Sequence, residues 1–203
     1  MERLSRLLPR FLALGLLWGG GAARAEQAPA HLRPVRDVAV TYRVEGGNQA
    51  PRMVPVAWLA ATKRIRAEPP GLPGWVLVDL PRNEALLVIE AQGMAVRLPA
   101  GDMLPLLGGI PPGTRMAPVG SGTVAGQRCD LWQVSPQDAA GTVCLTKDGV
   151  ILRAEGARGG RRGQLQATRV TYGRQDPARF QLPAGVSVVN LPPALLSGLL
   201  GGH

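Results

Sequence analysis

The stretch "GQRCDLWQVSPQDAAGTVCLTKDGV", residues 126–150, decides how this chain is read. It holds both cysteines, Cys129 and Cys144. A metal site, a redox couple and a disulfide are the three readings open to them. A metal site asks for three or four ligands, and the two histidines, His31 and His203, are distant in sequence. A redox couple favours the C-x-x-C spacing, whereas fourteen residues separate these two. The disulfide fits best. Arg128–Val134 and Ala139–Leu145 read as antiparallel strands, with Ser135–Asp138 as the loop and Pro136 suited to the second position of a turn. If Val134 faces Ala139, Cys129 falls directly opposite Cys144, and directly opposed residues lie within disulfide reach.

The same stretch continues with Asp148-Gly149 between β-formers, a strong hairpin signal. Lys147 is then expected to pair with Val150. Three strands follow in a meander, over about 124–134, 140–147 and 150–156.

Further out the pattern persists. Val38, Val40, Tyr42 and Val44 alternate with polar positions. "VAWLAATKRIRAE", from Val56, reads as a strand because Trp58, Thr62 and Ile65 outweigh its alanines. "GWVLVDL" and "ALLVIEA" are apolar runs separated by the turn "PRNE", and "MAVRL" adds another strand. "GQLQATRVTYG" is a late strand and "DPARFQLPAGV" an extended tail. "NQAPRMVP" and "GARGGRRGQ" read as loops. The helix candidates, "AGDMLPLLGGI" and "PPALLSGLLGG", are short and broken by Pro or Gly. Many short strands with Gly and Pro punctuation give a mainly β fold.

The N-terminus sets the compartment. Arg3, Arg6 and Arg10 precede an apolar run, Phe11–Trp18, and small residues ending Ala23-Arg24-Ala25. This is the layout of a cleavable signal peptide, with cleavage expected after Ala25 and a periplasmic destination. The apolar run is shorter than the ~20 residues a spanning helix needs, and no transmembrane segment is expected in the mature chain. An oxidising compartment suits the disulfide. The organisation expected is a signal peptide over 1–25, a flexible mature N-terminus over 26–35, a single β domain over 36–189 and a tail over 190–203.

The formal charge is +9, and the first 25 residues carry four arginines against one glutamate, so the remainder carries +6. Only Lys63 and Lys147 are lysines. Export and the lack of closely spaced aromatics on basic strands argue against nucleic acid. A solvated arginine surface is one reading; attraction to an anionic envelope surface is the other.

The sequence carries few chemistry-bearing constellations. A Ser-His-Asp triad needs a histidine, and His31 and His203 sit near the ends. Asp79, Glu84 and Glu90 are carboxylates that could pair as acid and base across a hairpin, or simply serve as turn and surface polarity. "GSGTVAG" opens a strand rather than a helix, which disfavours a phosphate loop. No metal-ligand spacing and no cofactor motif is found, so neither a catalytic residue nor a cofactor is assigned.

The run "GSGTVAGQRCDLWQV" followed by "VCLTKDGVILRAE", with "TKRIRAEPPGLPGWVLVDLPRNEALLVI" before it, resembles exported bacterial proteins of unknown function allied to the LolA/LolB-like lipoprotein-carrier superfamily. The resemblance covers roughly residues 36–185. It implies a single curved antiparallel sheet, a half-barrel with one or two short helices; a closed β-barrel or a β-sandwich is the alternative. It also implies a concavity that can hold an acyl chain, with "GDMLPLLGG" as a covering segment. The expected function is non-enzymatic binding of a lipid or other hydrophobic ligand, lined by Trp58, Trp75, Leu77, Met94, Leu104, Leu106 and Trp132. An envelope interaction module and a carboxylate-dependent hydrolase are the competing readings.

Overall fold

The computed structural model describes residues 28–47, 49–99, 110, 114–135, 139–158, 161–192 and 194–196. The expected signal peptide and the covering segment 101–109 lie outside these residues. Six strands come first: β1 (Val38–Gly46), β2 (Gln49–Leu59), β3 (Arg64–Ala67), β4 (Trp75–Asp79), β5 (Glu84–Ile89) and β6 (Met94–Arg97). Five more follow: β7 (Arg115–Val124), β8 (Gln127–Ser135), β9 (Ala139–Leu145), β10 (Ile151–Arg158) and β11 (Arg161–Tyr172). A short β12 (Ser187–Val189) runs parallel to β6, and all other pairings are antiparallel.

All twelve strands form one sheet in the order β12-β6-β5-β4-β3-β2-β1-β11-β10-β9-β8-β7. Two meanders, β1–β6 and β7–β11, are thus sewn together by β1 against β11, paired antiparallel from Val38–Tyr172 to Gly46–Gly163. The sheet does not close: β12 and β7 stand at opposite edges. This is the curved open sheet expected, and neither a closed barrel nor a sandwich of two sheets. Register breaks at Thr41/Tyr42, Pro118/Gly120 and Ile151/Arg153 add local twist and bending.

Apolar burial explains the strand patterns. Val76 and Val78 of β4 enter the largest buried cluster, while Trp75 and Leu77 enter a second one on the opposite face. Both faces are therefore covered, and β4 and β5 read as continuous apolar runs rather than alternating ones. The second cluster is capped by Phe180, fully buried at the end of a short 3-10 helix, Pro177–Phe180. A third cluster joins Trp132, Val143 and Leu145 to Ile110, with Leu32 and Met116 against it.

Cys129 and Cys144 form a disulfide with Cα atoms 5.3 Å apart. Their register differs from the one expected. Val134 faces Gly141 instead of Ala139, and Cys144 lies opposite Leu131, so the two cysteines are diagonal neighbours. The slip is two residues. An even slip keeps every side chain on its own face, and sheet twist draws one diagonal close. The disulfide therefore survives the change of register.

Other expectations are corrected. Val150 donates to Thr146 Oγ1 and accepts from the Thr146 amide at 2.9 Å, so Thr146, not Lys147, partners Val150. Lys147–Gly149 is a three-residue loop with Gly149 at φ 88°. The Val56–Glu68 stretch is not one strand. It turns at Ala60–Lys63, with Lys63 at φ 53°, into the hairpin β2–β3. "NQAPRMVP" lies almost wholly within β2, because β1 supplies a partner for its backbone at Val56 down to Arg52. "GARGGRRGQ" is mostly strand, paired out to Arg158 and Arg161. The extended tail "DPARFQLPAGV" contains the 3-10 helix, whose Asp176 carboxylate accepts from the Ala178 amide. The β7–β8 turn at Ala125-Gly126, φ 48° and 74°, is a two-residue hairpin loop.

Candidate binding surfaces

The structure distributes the residues proposed to line a ligand site among three places. Trp58 lies in the largest cluster and Met94 packs against it. Trp75 and Leu77 are in the cluster under Phe180. Trp132 is in the cluster with Ile110. Leu104 and Leu106 lie outside the described residues. Of the described five, Trp58 and Met94 share one cluster, Trp75 and Leu77 another, and Trp132 stands apart from both.

Two of these tryptophans differ in their polar handles. The Trp75 indole N–H donates to Glu90 at 2.7 Å, and the Arg66 guanidinium sits 3.8 Å above its ring. Among the described residues the indole N–H of Trp58, 6% exposed, has no hydrogen-bond partner, and Arg153 Nε is the other buried donor without one. A buried donor left unpaired costs about 1–3 kcal/mol, and of the two only that of Trp58 belongs to a side chain in an apolar cluster. The connection from β6 to β7 is anchored at both ends: Leu98, 2% exposed, in the cluster that holds Trp58, and Ile110, 6% exposed, in the cluster that holds Trp132. The apolar "MLPLL" lies between these anchors in sequence.

The carboxylates are occupied. Asp79 and Glu84 are directly opposed on β4 and β5. The Arg64 guanidinium meets Asp79 at 2.8 Å, and Arg97 meets Glu84 at 2.7 Å. Arg64 also donates to the Phe180 carbonyl at 3.1 Å, tying the capping segment to the sheet. A cleft of about 310 Å³ lies here, lined by Arg64, Leu77, Asp79, Arg82, Leu86 and Leu182 among others. Each carboxylate thus has a structural partner, and Glu90 is spent on Trp75. Among the described residues no group of three or more His, Cys, Asp or Glu side chains is placed to hold a metal. No helix among them is long and apolar enough to cross a membrane.

Asp148 gathers the N-terminal segment. Its carboxylate accepts from Arg36 Nε at 2.6 Å, Tyr172 Oη at 3.1 Å and Thr146 Oγ1 at 2.5 Å. Arg36 also stacks over the Tyr172 ring at 3.7 Å. Burial works to raise the Asp148 carboxyl, but the three hydrogen bonds together outweigh it and hold it below the ordinary Asp range. Burial also pushes the Tyr42 phenol well above its usual range, with a smaller contribution from Tyr172. Tyr42 donates to the Ile151 carbonyl at 2.8 Å, linking β1 to β10 across β11.

A second cleft, about 620 Å³ and more open, crosses β1, β11, β10, β9 and β8 near the hairpin tips. Its lining is polar and glycine-rich, a feature that no sequence motif announces. The residues are plain in the sequence, but only strand register brings them together.

No family model and no curated protein matches the chain. Solved structures do match. An uncharacterized conserved protein from Thermus thermophilus is 14% identical, with a TM-score of 0.52 over 77% of this chain and 91% of that one. A crystal structure of MucB is 16% identical, with a TM-score of 0.52 over 77% of this chain and 60% of that one, and a chain of the Pseudomonas aeruginosa MucA/MucB complex matches at the same TM-score. The match therefore reaches only part of MucB. A LolA superfamily protein from Nitrosomonas europaea is also among the neighbours, 9% identical over 75% of this chain and 94% of that one, with a TM-score of 0.42. The last is too distant to carry an argument. At these identities the likeness to the first two is one of fold: a single curved, mostly antiparallel sheet.

Proposed function

We propose that this chain is an exported, non-enzymatic binding protein of the cell envelope that holds an acyl or other hydrophobic ligand against the cluster around Trp58. The observation that carries this reading is the indole N–H of Trp58, unpartnered among the described residues, in a tryptophan buried among apolar side chains. A ligand with an apolar body and a carbonyl or carboxylate would bury its tail and satisfy that donor. The sequence "GDMLPLLGG" is the covering segment in this reading, with Leu104 and Leu106 as lining residues beside Met94. Trp75, Leu77 and Trp132 then serve as core. Cleavage after Ala25 and a periplasmic location belong to the same proposal, and N-terminal sequencing of the envelope fraction tests them, with Glu26 as the expected first residue.

Native mass spectrometry of the purified protein should show co-purified lipid. A fluorescent fatty acid should bind and be lost on Trp58→Phe, which keeps an aromatic ring but removes the donor, and on the Leu104→Asp/Leu106→Asp double substitution. If no lipid is seen and no probe is taken up, the carrier reading fails. A docking module is the second reading, favoured by the fold shared with MucB, a protein solved in complex with MucA(peri). Its partner in this chain would be a protein or an anionic envelope surface.

A further inference from the structure

The segment after β11 changes face. Phe180, Leu182 and Val186 belong to the cluster of Trp75 and Leu77, whereas Val189, Leu191 and Leu196 pack against the cluster of Trp58. Between them β12 pairs with β6 at the sheet edge, with Val189 opposite Val96. The chain therefore rounds the edge. It lays its next leucines on the face whose cluster draws on both meanders, from Trp58 and Val96 to Cys144 and Leu152.

The two halves of this segment are held differently. On the first face Phe180 is fully buried, and the carbonyls of Arg179 and Phe180 accept from Arg66 and Arg64 at 3.1 Å each. On the second, Leu191 and Leu196 are half-buried and Leu195 is 60% exposed. The Leu195 and Leu196 amides donate to the Pro192 carbonyl at 3.0 and 3.1 Å, inside the segment itself. No Asp, Glu, Lys or Arg occurs from Gln181 to Leu196, so this arm meets the cluster with apolar side chains.

Trp58 stands at the other end of the same surface. Trp58, Ile65, Val78 and Ala85 are directly opposed in turn on β2, β3, β4 and β5, and the Leu98 amide donates to the Ala85 carbonyl at 2.9 Å. All five residues are buried in one cluster. The row crosses four interstrand steps of about 4.8 Å, about 19 Å in all. Leu98 lies two residues past Val96 and Leu191 two residues past Val189, its parallel partner. The arm thus leaves the sheet beside the β6 end of the row.

From this placement we infer that the arm from Leu191 is a displaceable occupant of the apolar face, holding the place of the tail of a long-chain amphiphile whose polar end meets the Trp58 indole. Ligand and arm exclude one another. The arm keeps the surface covered when no ligand is bound and yields to chains long enough to reach β6, whereas a short chain stays clear of it. This inference rests on the Trp58 reading above and adds to it a regulation and a preference for chain length.

The test is calorimetric titration of the purified full chain with palmitate and with octanoate, each below its micelle-forming concentration. Leu191→Asp with Leu196→Asp places charge on the two side chains that seat the arm. This double variant should bind palmitate at least about tenfold more tightly than the parent and octanoate equally. Leu195→Asp, at an exposed position, should leave both affinities unchanged. In the parent, saturating palmitate should speed chymotryptic cleavage after Leu195 and Leu196, a readout that needs no variant. The inference is overturned if the double variant binds palmitate no more tightly than the parent, if octanoate gains as much as palmitate, or if Leu195→Asp gains as well. It is equally overturned if palmitate slows that cleavage or leaves it unchanged. Equal palmitate binding by parent and double variant leaves the Trp58 reading standing, and binding by neither overturns both.

Discussion

Asp148 accepts a hydrogen bond from Arg36 Nε at 2.6 Å across 112 residues of sequence, fastening the segment before β1 to the turn between β9 and β10. The Val35 amide donates to the Asp148 carbonyl at 3.1 Å beside it. One residue thus holds the lead-in chain with both its side chain and its backbone. Because Asp148 titrates below the ordinary Asp range in the folded protein, its contribution is present above the unfolded pKa of about 3.9 and is lost as pH falls through the lower folded value. Asp148→Asn should lower the thermal midpoint at neutral pH and flatten the acid limb of the stability profile. An unchanged acid limb would remove Asp148 from that role.

The disulfide closes a loop with a sequence separation of 15. Cys129→Ser should cost about 2–4 kcal/mol in denaturant unfolding, chiefly by freeing the unfolded chain. Reduction of the parent with dithiothreitol should reproduce the loss. Two free thiols on the denatured, unreduced protein would show that the bond does not form.

Phe180 is fully buried and is the cap on the cluster of Trp75, Leu77, Leu86 and Val88. Phe180→Ala should cost about 3–5 kcal/mol by equilibrium denaturation. Hydrogen exchange should accelerate over β4 and β5, the strands whose outer face it covers. A loss below about 1 kcal/mol, well under the usual range for such a truncation, would mean that this segment does not seal the sheet.

Gly46, Gly163, Gly156 and Gly141 are directly opposed in turn on β1, β11, β10 and β9, and they include two kinds of glycine. Gly141→Ala drives a Cβ into the Glu155 carbonyl and should destabilise the protein by at least about 1–3 kcal/mol. Gly163→Ala has room and should be neutral or stabilising by up to about 1 kcal/mol. Paired thermal melts decide this. Equal losses at both positions would show that backbone geometry, rather than open space, dictates Gly163.

Local sequence by itself determined the β class, the cysteine bridge and most hairpins. Alternation at Val38–Val44, the apolar runs at Trp75–Asp79 and Glu84–Ile89, and the turn at Leu80–Asn83 are short-range signals, read without knowing any distant partner. Distant partners decided the rest. The Gln49–Leu59 segment, loop-like in Pro51, Arg52 and Pro55, became a long strand because β1 completes its backbone hydrogen bonds. The cysteines met on a diagonal because pairing along the whole of β8 and β9, rather than the loop count alone, set the register. The tail after β11 folded back because Phe180 buries itself on an otherwise exposed apolar face. The row of Gly46, Gly163, Gly156 and Gly141 exists only across strands from distant parts of the chain, since cross-strand order is a long-range property that no local pattern contains.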